Sequence, residues 1–82
     1  MTCRDEILDC FNLLEKETNK IDFKIPEIIE CMKRKGTEYK ENTIRTHITS
    51  RMCANAPDHH GTTYDDLIRT ERGKYRLERK KA

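Results

Sequence analysis

Eighty-two residues, 34% hydrophobic and 39% charged, make one small domain with a thin core and a densely ionic surface, and leave no room for a second core. No apolar run approaches the roughly 18 residues of a membrane span, and the opening Met1-Thr2-Cys3-Arg4-Asp5-Glu6 carries acids where a signal peptide needs an apolar stretch, so a cytoplasmic chain is expected. The formal charge of +2 is uneven, with ten acids and eight bases in residues 1–41 but five acids and nine bases in residues 42–82, which suggests an anionic partner facing the second half.

Thr2, followed three residues later by Asp5, reads as a capping box that opens a helix from about Cys3 to Glu17. Ile7, Leu8, Phe11 and Leu14 recur on it at helical spacing and form its apolar stripe. Thr18-Asn19-Lys20 ends it, and the alternation Ile21-Asp22-Phe23-Lys24-Ile25 predicts a very short strand. Pro26 suits the first turn of a second helix, to about Lys35, because its missing N–H is not needed there. Ile28, Ile29 and Met32 point inward, Lys33-Arg34-Lys35 suits the negative helix end, and Gly36 is a C-terminal stop. A short turn, Thr37 to Lys40, then leads to a third helix, with Tyr39 placed to pack back on it as a staple.

That third helix, from Asn42 to about Ala54, is the most informative stretch of the chain. Wound at about 100° per residue, Ile44, Ile48 and Met52 lie along one stripe, and Thr43, Thr46, Thr49 and Ser50 take the other side with Asn42 and Arg45 at its margin. Thr and Ser are poor helix formers and unusual on a solvent face. They suit close approach to a nucleic-acid groove, where Asn pairs with adenine, Arg with guanine, and Thr methyls meet thymine methyls. The plainer reading is a solvated Thr-rich helix or a protein-binding face. Lys40, Arg45 and Arg51 could add phosphate contacts, although Arg51 falls nearer the apolar stripe, where an acid could pair with it.

Asn55-Ala56-Pro57 breaks the helix, and Leu67-Ile68-Arg69-Thr70, Glu71-Arg72-Gly73 and Lys74-Tyr75-Arg76-Leu77-Glu78 read as strand, tight turn, strand. Tyr75 and Leu77 face the core in this reading and Arg76 faces outward. Arg69, Arg72, Lys74 and Arg76 would straddle an adjacent phosphate backbone or minor groove, or merely charge an edge hairpin against aggregation. The predicted fold class is therefore α+β, a winged helix-turn-helix of order α-β-α-α-β-β over residues 1–78, with a basic tail at 79–82. A three-helix bundle with an unrelated C-terminal hairpin is the competing architecture.

Other chemistry finds little support. Cys3, Cys10, Cys31 and Cys53 contain no CxxC and read as reduced core or surface thiols. Cys53, His47 and the loop residues Asp58, His59 and His60 tempt toward zinc, but adjacent histidines point different ways and no second cysteine sits at ligand spacing, so no metal is expected. No Gly-rich phosphate loop, HExxH motif or paired-carboxylate helix is present. A dyad of Cys53 with His59 or His60 would need a substrate cavity, which a chain this short rarely encloses, and a low-pKa thiol, which a helix end does not favour. An enzyme, a cofactor and a small-molecule substrate are not expected.

Thr43-Ile44-Arg45-Thr46-His47-Ile48, the continuation Ser50 to His60 and Thr63 to Asp66, the Arg72-Gly73 turn and the Tyr75-Arg76-Leu77 strand together resemble a prokaryotic family of small uncharacterised domains. The likeness spans nearly the whole chain and implies a winged-helix fold, with the activity left open. The residues themselves predict a binding module whose partner is double-stranded DNA, in transcription regulation, through Lys40, Asn42, Thr43, Arg45, Thr46, Thr49, Ser50, Arg69, Arg72, Lys74 and Arg76. With so small a net charge an isolated domain would bind weakly, so a homodimer or a protein partner is expected alongside. The rival reading is a protein-interaction or self-association module. RNA is disfavoured because aromatic residues, at 6%, leave few platforms for stacking bases.

Overall fold

The structure, a computed structural model, describes residues 2–53 and 66–78. Its elements are α1 (Cys3–Thr18), β1 (Asp22–Lys24), α2 (Ile25–Arg34), α3 (Glu41–Thr46) running into a π turn (His47–Arg51), β2 (Leu67–Glu71) and β3 (Lys74–Leu77). This is an α+β domain whose elements follow the expected order, with the β2–β3 hairpin in the place expected of the wing. The three strands lie in the order β1-β3-β2, all antiparallel, so that β3 is the centre of the sheet.

Local chemistry sets the helix limits. The Asp5 N–H donates to Thr2 Oγ1 at 3.2 Å and the Thr2 N–H to Asp5 Oδ2 at 3.1 Å, which satisfies two of the donors that a helix start leaves open. Asn19, at φ 61°, closes α1 in the left-handed region. α2 begins at Ile25, one residue ahead of the expected Pro26; the Lys24 N–H donates to Glu27 Oε2 at 2.8 Å and Pro26 rides in the first turn. At the far end Gly36 takes φ +81°, its N–H donates to the Lys33 carbonyl, and the Thr37 N–H reaches the Met32 carbonyl, the paired bonds of a Schellman stop.

The third helix departs from expectation. It starts at Glu41, stays α-helical only to Thr46, and then widens into the π turn, whose Met52 N–H donates to the His47 carbonyl at 2.8 Å. The reason lies in the apolar spacing. Ile44 and Met52 are eight residues apart, and α winding would carry Met52 about 80° round from Ile44. A wider turn advances each residue through a smaller angle and brings Met52 back over the core, where Ile44, Ile48 and Met52 are all buried.

The core lies between the helices and one face of the sheet. Ile7, Cys10, Phe11 and Leu14 of α1 meet Ile28 and Met32 of α2, and the Phe11 ring packs edge-on to Phe23 of β1 with centroids 5.9 Å apart. Leu8, expected in the same stripe, sits half-buried against this cluster. Tyr39 is 37% exposed and lines a cavity with Glu6, Asp9 and Lys35. Tyr75 is buried and Leu77 packs against the core as expected, both on the β3 face that carries Phe23 of β1.

Met52 joins α3 to the sheet. Its carbonyl accepts from the N–H groups of Asp66 at 3.1 Å and Leu67 at 2.8 Å, and Cys53 pairs with Leu67 in a parallel bridge. Asp66 in turn receives a two-pronged bond from Arg4, Nε to Oδ2 at 2.6 Å and an Nη to Oδ1 at 2.8 Å, which ties the start of β2 to the first turn of α1. Residues 57–63, which hold Asp58, His59 and His60, lie outside the described residues.

A Cβ at Gly36 would meet nothing within 4 Å, so substitution there costs only backbone strain. Gly36→Ala is expected to lower stability by about 1–2 kcal/mol and to shift the urea midpoint without changing the slope of the transition. An unchanged midpoint would show that the left-handed stop contributes nothing.

Candidate nucleic-acid interface

The six-residue α3 is built on a single anchor, Ile44, which is 1% exposed. Around it Lys40, Asn42, Arg45 and Thr46 are exposed and Thr43 is half-buried. An amide, a guanidinium, an ammonium and hydroxyls therefore share the side of α3 away from the core. The angle of this helix to α2 is braced by an ion pair, Lys33 Nζ to Glu41 Oε2 at 2.7 Å. That hydrogen bond holds the Lys33 ammonium above and the Glu41 carboxyl below their ordinary ranges.

The second half of the face is less bare than straight α winding predicts. Thr49 and Ser50 are half-buried, and Thr49 Oγ1 donates to the Arg45 carbonyl at 2.9 Å, which commits its one proton to the helix itself. His47 also folds back, with Nδ1 2.9 Å from the Thr43 carbonyl; the carbonyl can only accept, so Nδ1 carries the proton. Arg51, which α winding sets beside the core, is exposed.

The wing brings some of its bases together and separates others. The hairpin turns through Arg72 and Gly73, the glycine at φ +79°, and Thr70 bulges out between the paired positions Arg69 and Glu71. Arg69 stands opposite Tyr75, on the sheet face that looks toward the core, although it is itself exposed at the edge strand. Lys74 and Arg76 lie on the other face, where Arg76 is in register with Ile68 and Asp22. Lys74 Nζ sits 3.0 Å from Glu71 Oε1, a bond that raises the Lys74 ammonium above its usual range. Arg72, at the tip, is exposed. The four wing bases are thus spread over two faces and a tip, and acids stand beside two of them.

All four cysteines are buried and none forms a disulfide. Burial, reinforced by neighbouring Cys31, pushes the Cys10 thiol up to about 12, and burial likewise raises Cys3 and the Tyr75 phenol. Among the described residues no group of His, Cys, Asp and Glu could hold a metal ion, and no helix is long and apolar enough to cross a membrane. The loop residues Asp58, His59 and His60, weighed above for zinc and for a dyad with Cys53, lie outside the described residues.

The chain belongs to a family described as a domain of unknown function (DUF7669), which matches residues 4–77. No curated protein and no solved structure matches it.

Cys3, Cys10, Tyr75, Lys33 and Lys74 all hold their protons to higher pH when folded than when unfolded. Their contribution is complete below the ordinary thiol value of 9.0 and is lost as pH rises toward 12. Asp5, lowered chiefly by the Thr2 N–H, and Glu41 act in the opposite sense and lose their contribution as pH falls through the carboxylate range. Urea midpoints measured against pH are expected to hold from about 5 to 8 and to fall on both sides. A midpoint still rising above pH 9 would contradict the burial of the thiols.

Proposed function

We propose that the chain is a winged-helix module that binds double-stranded DNA and acts in transcription regulation in the cytoplasm, with α3 in the major groove and the basic hairpin on the sugar-phosphate backbone. The observation that carries this reading is the outward side of α3. Lys40, Asn42, Arg45 and Thr46 are exposed there while Ile44 behind them is 1% exposed, so groups able to read base edges stand on a helix held rigidly from behind. Thr43, Thr49 and Ser50 add flanking contacts, and Arg69, Arg72, Lys74 and Arg76 supply the charge of the wing. Because acids neighbour Lys74 and Arg76, the hairpin adds modest affinity, and a second copy or a partner strengthens the complex.

A protein-interaction role is the alternative. It is favoured by an apolar groove of about 360 Å³ between α1, β1 and α2, lined by Leu14, Phe23 and Pro26, and by Ile21, which is 61% exposed.

Duplexes selected from a random pool are expected to bind with an affinity that falls steeply with salt, through counterion release. Arg45→Ala should weaken the selected duplex by roughly ten-fold and relax the preference at one base position. If Arg45→Ala and Thr46→Ala leave affinity unchanged, the groove assignment fails. Salt-insensitive self-association in sedimentation, with no duplex shift, would establish the rival role.

A further inference from the structure

Resting on the DNA-binding reading, we infer that Arg51 is a phosphate contact at the far end of the recognition helix, delivered there by the π turn. In a regular α-helix Arg51 would lie about 40° from the line midway between Ile44 and Ile48, and Met52 about 60° from it on the other side. Arg51 would then be the more buried of the two. The structure reverses this order: Met52 is 0% exposed and Arg51 is exposed. The i→i+5 bond from the Met52 N–H to the His47 carbonyl is the cause, because the added residue in that turn lets the helix unwind just enough to seat Met52 and swing Arg51 outward.

The consequence is a third exposed basic residue along α3 and its π turn, after Lys40 and Arg45. Its place also sets its role. In helix-turn-helix docking the first residues of the recognition helix meet base edges, and the other end of the helix leaves the groove beside the backbone. Arg51 ends the π turn, five residues beyond Thr46, and its long side chain and forked guanidinium suit a phosphate there. Among the described residues Arg51 has no acid partner within ion-pair distance, whereas Lys33, Lys74 and Arg4 each have one. π turns within helices are frequent at functional sites, and here the reason is mechanical.

The test is fluorescence anisotropy of the full chain with a selected duplex across a salt series. Arg51→Gln is expected to weaken binding about three- to ten-fold at low salt and to reduce the slope of log K against log salt by about 1, with base preference unchanged. Arg51→Lys should restore most of the slope. Both variants should keep the thermal midpoint of the unaltered chain, since the residue is exposed. Binding by the unaltered chain with the same slope for Arg51→Gln would overturn the assignment of Arg51 alone. No duplex binding by the unaltered chain would overturn the DNA reading and this inference together.

Discussion

The position of Met52 constrains the rest of the structure. Its side chain must reach the core, its N–H closes the π turn, and its carbonyl receives two N–H groups from the start of β2. Helix and sheet therefore meet at one residue. Around that point the Cys53–Leu67 bridge, the Arg4–Asp66 fork and the bond from the Glu78 N–H to the Asp66 carbonyl draw together four distant parts of the chain. A hairpin of two short strands is marginal by itself. Here it is held at its open end, so its free tip, Arg72-Gly73, projects while its base stays fixed.

The same constraint explains how a helix so poor in helix formers persists. Six residues rich in Thr and Asn cannot support a helix in isolation, since nucleation alone exceeds what their propensities return. α3 exists because Ile44 and Ile48 are buried on one side and because α2 delivers the chain at a fixed angle through the Gly36 stop. The Lys33–Glu41 pair adds orientation more than stability, since both partners are exposed and such pairs contribute about 0–1 kcal/mol. Freed from the need for Ala, Glu and Lys, the outer side can carry short polar groups.

Much of this was legible from residue types alone. Thr2 with Asp5, Pro26, Gly36 and the Arg72-Gly73 pair marked element limits to within one or two residues, because each names a specific backbone requirement. The alternation around Tyr75 placed that ring inward, and the α-β-α-α-β-β order followed. What escaped was angular. Counting Ile44, Ile48 and Met52 as one stripe treats a spacing of four as if it were the helical period, and the small excess per turn accumulates until the backbone itself must widen. Thr49 and Ser50, expected bare, are half-buried, and the widened turn leaves exposed the Arg51 that α winding sets near the core. The bulge at Thr70 was similarly invisible, and with it the fact that Arg69 shares the Tyr75 face.

These angular details bear on how the charge asymmetry of the chain can act. The second half holds nine bases to five acids, yet on the wing Glu71 and Asp22 stand beside Lys74 and Arg76. Exposed bases stand also on α3 and its π turn, at Lys40, Arg45 and Arg51, with Arg72 at the tip. In the proposed DNA complex the half-compensated hairpin would guide orientation, whereas α3 and its π turn, with Lys40 at the start and Arg51 at the end, would set where the polyanion sits. On that proposal the weight of recognition falls on the element whose shape Met52 dictates, so a core methionine controls which polar side chains the surface can offer.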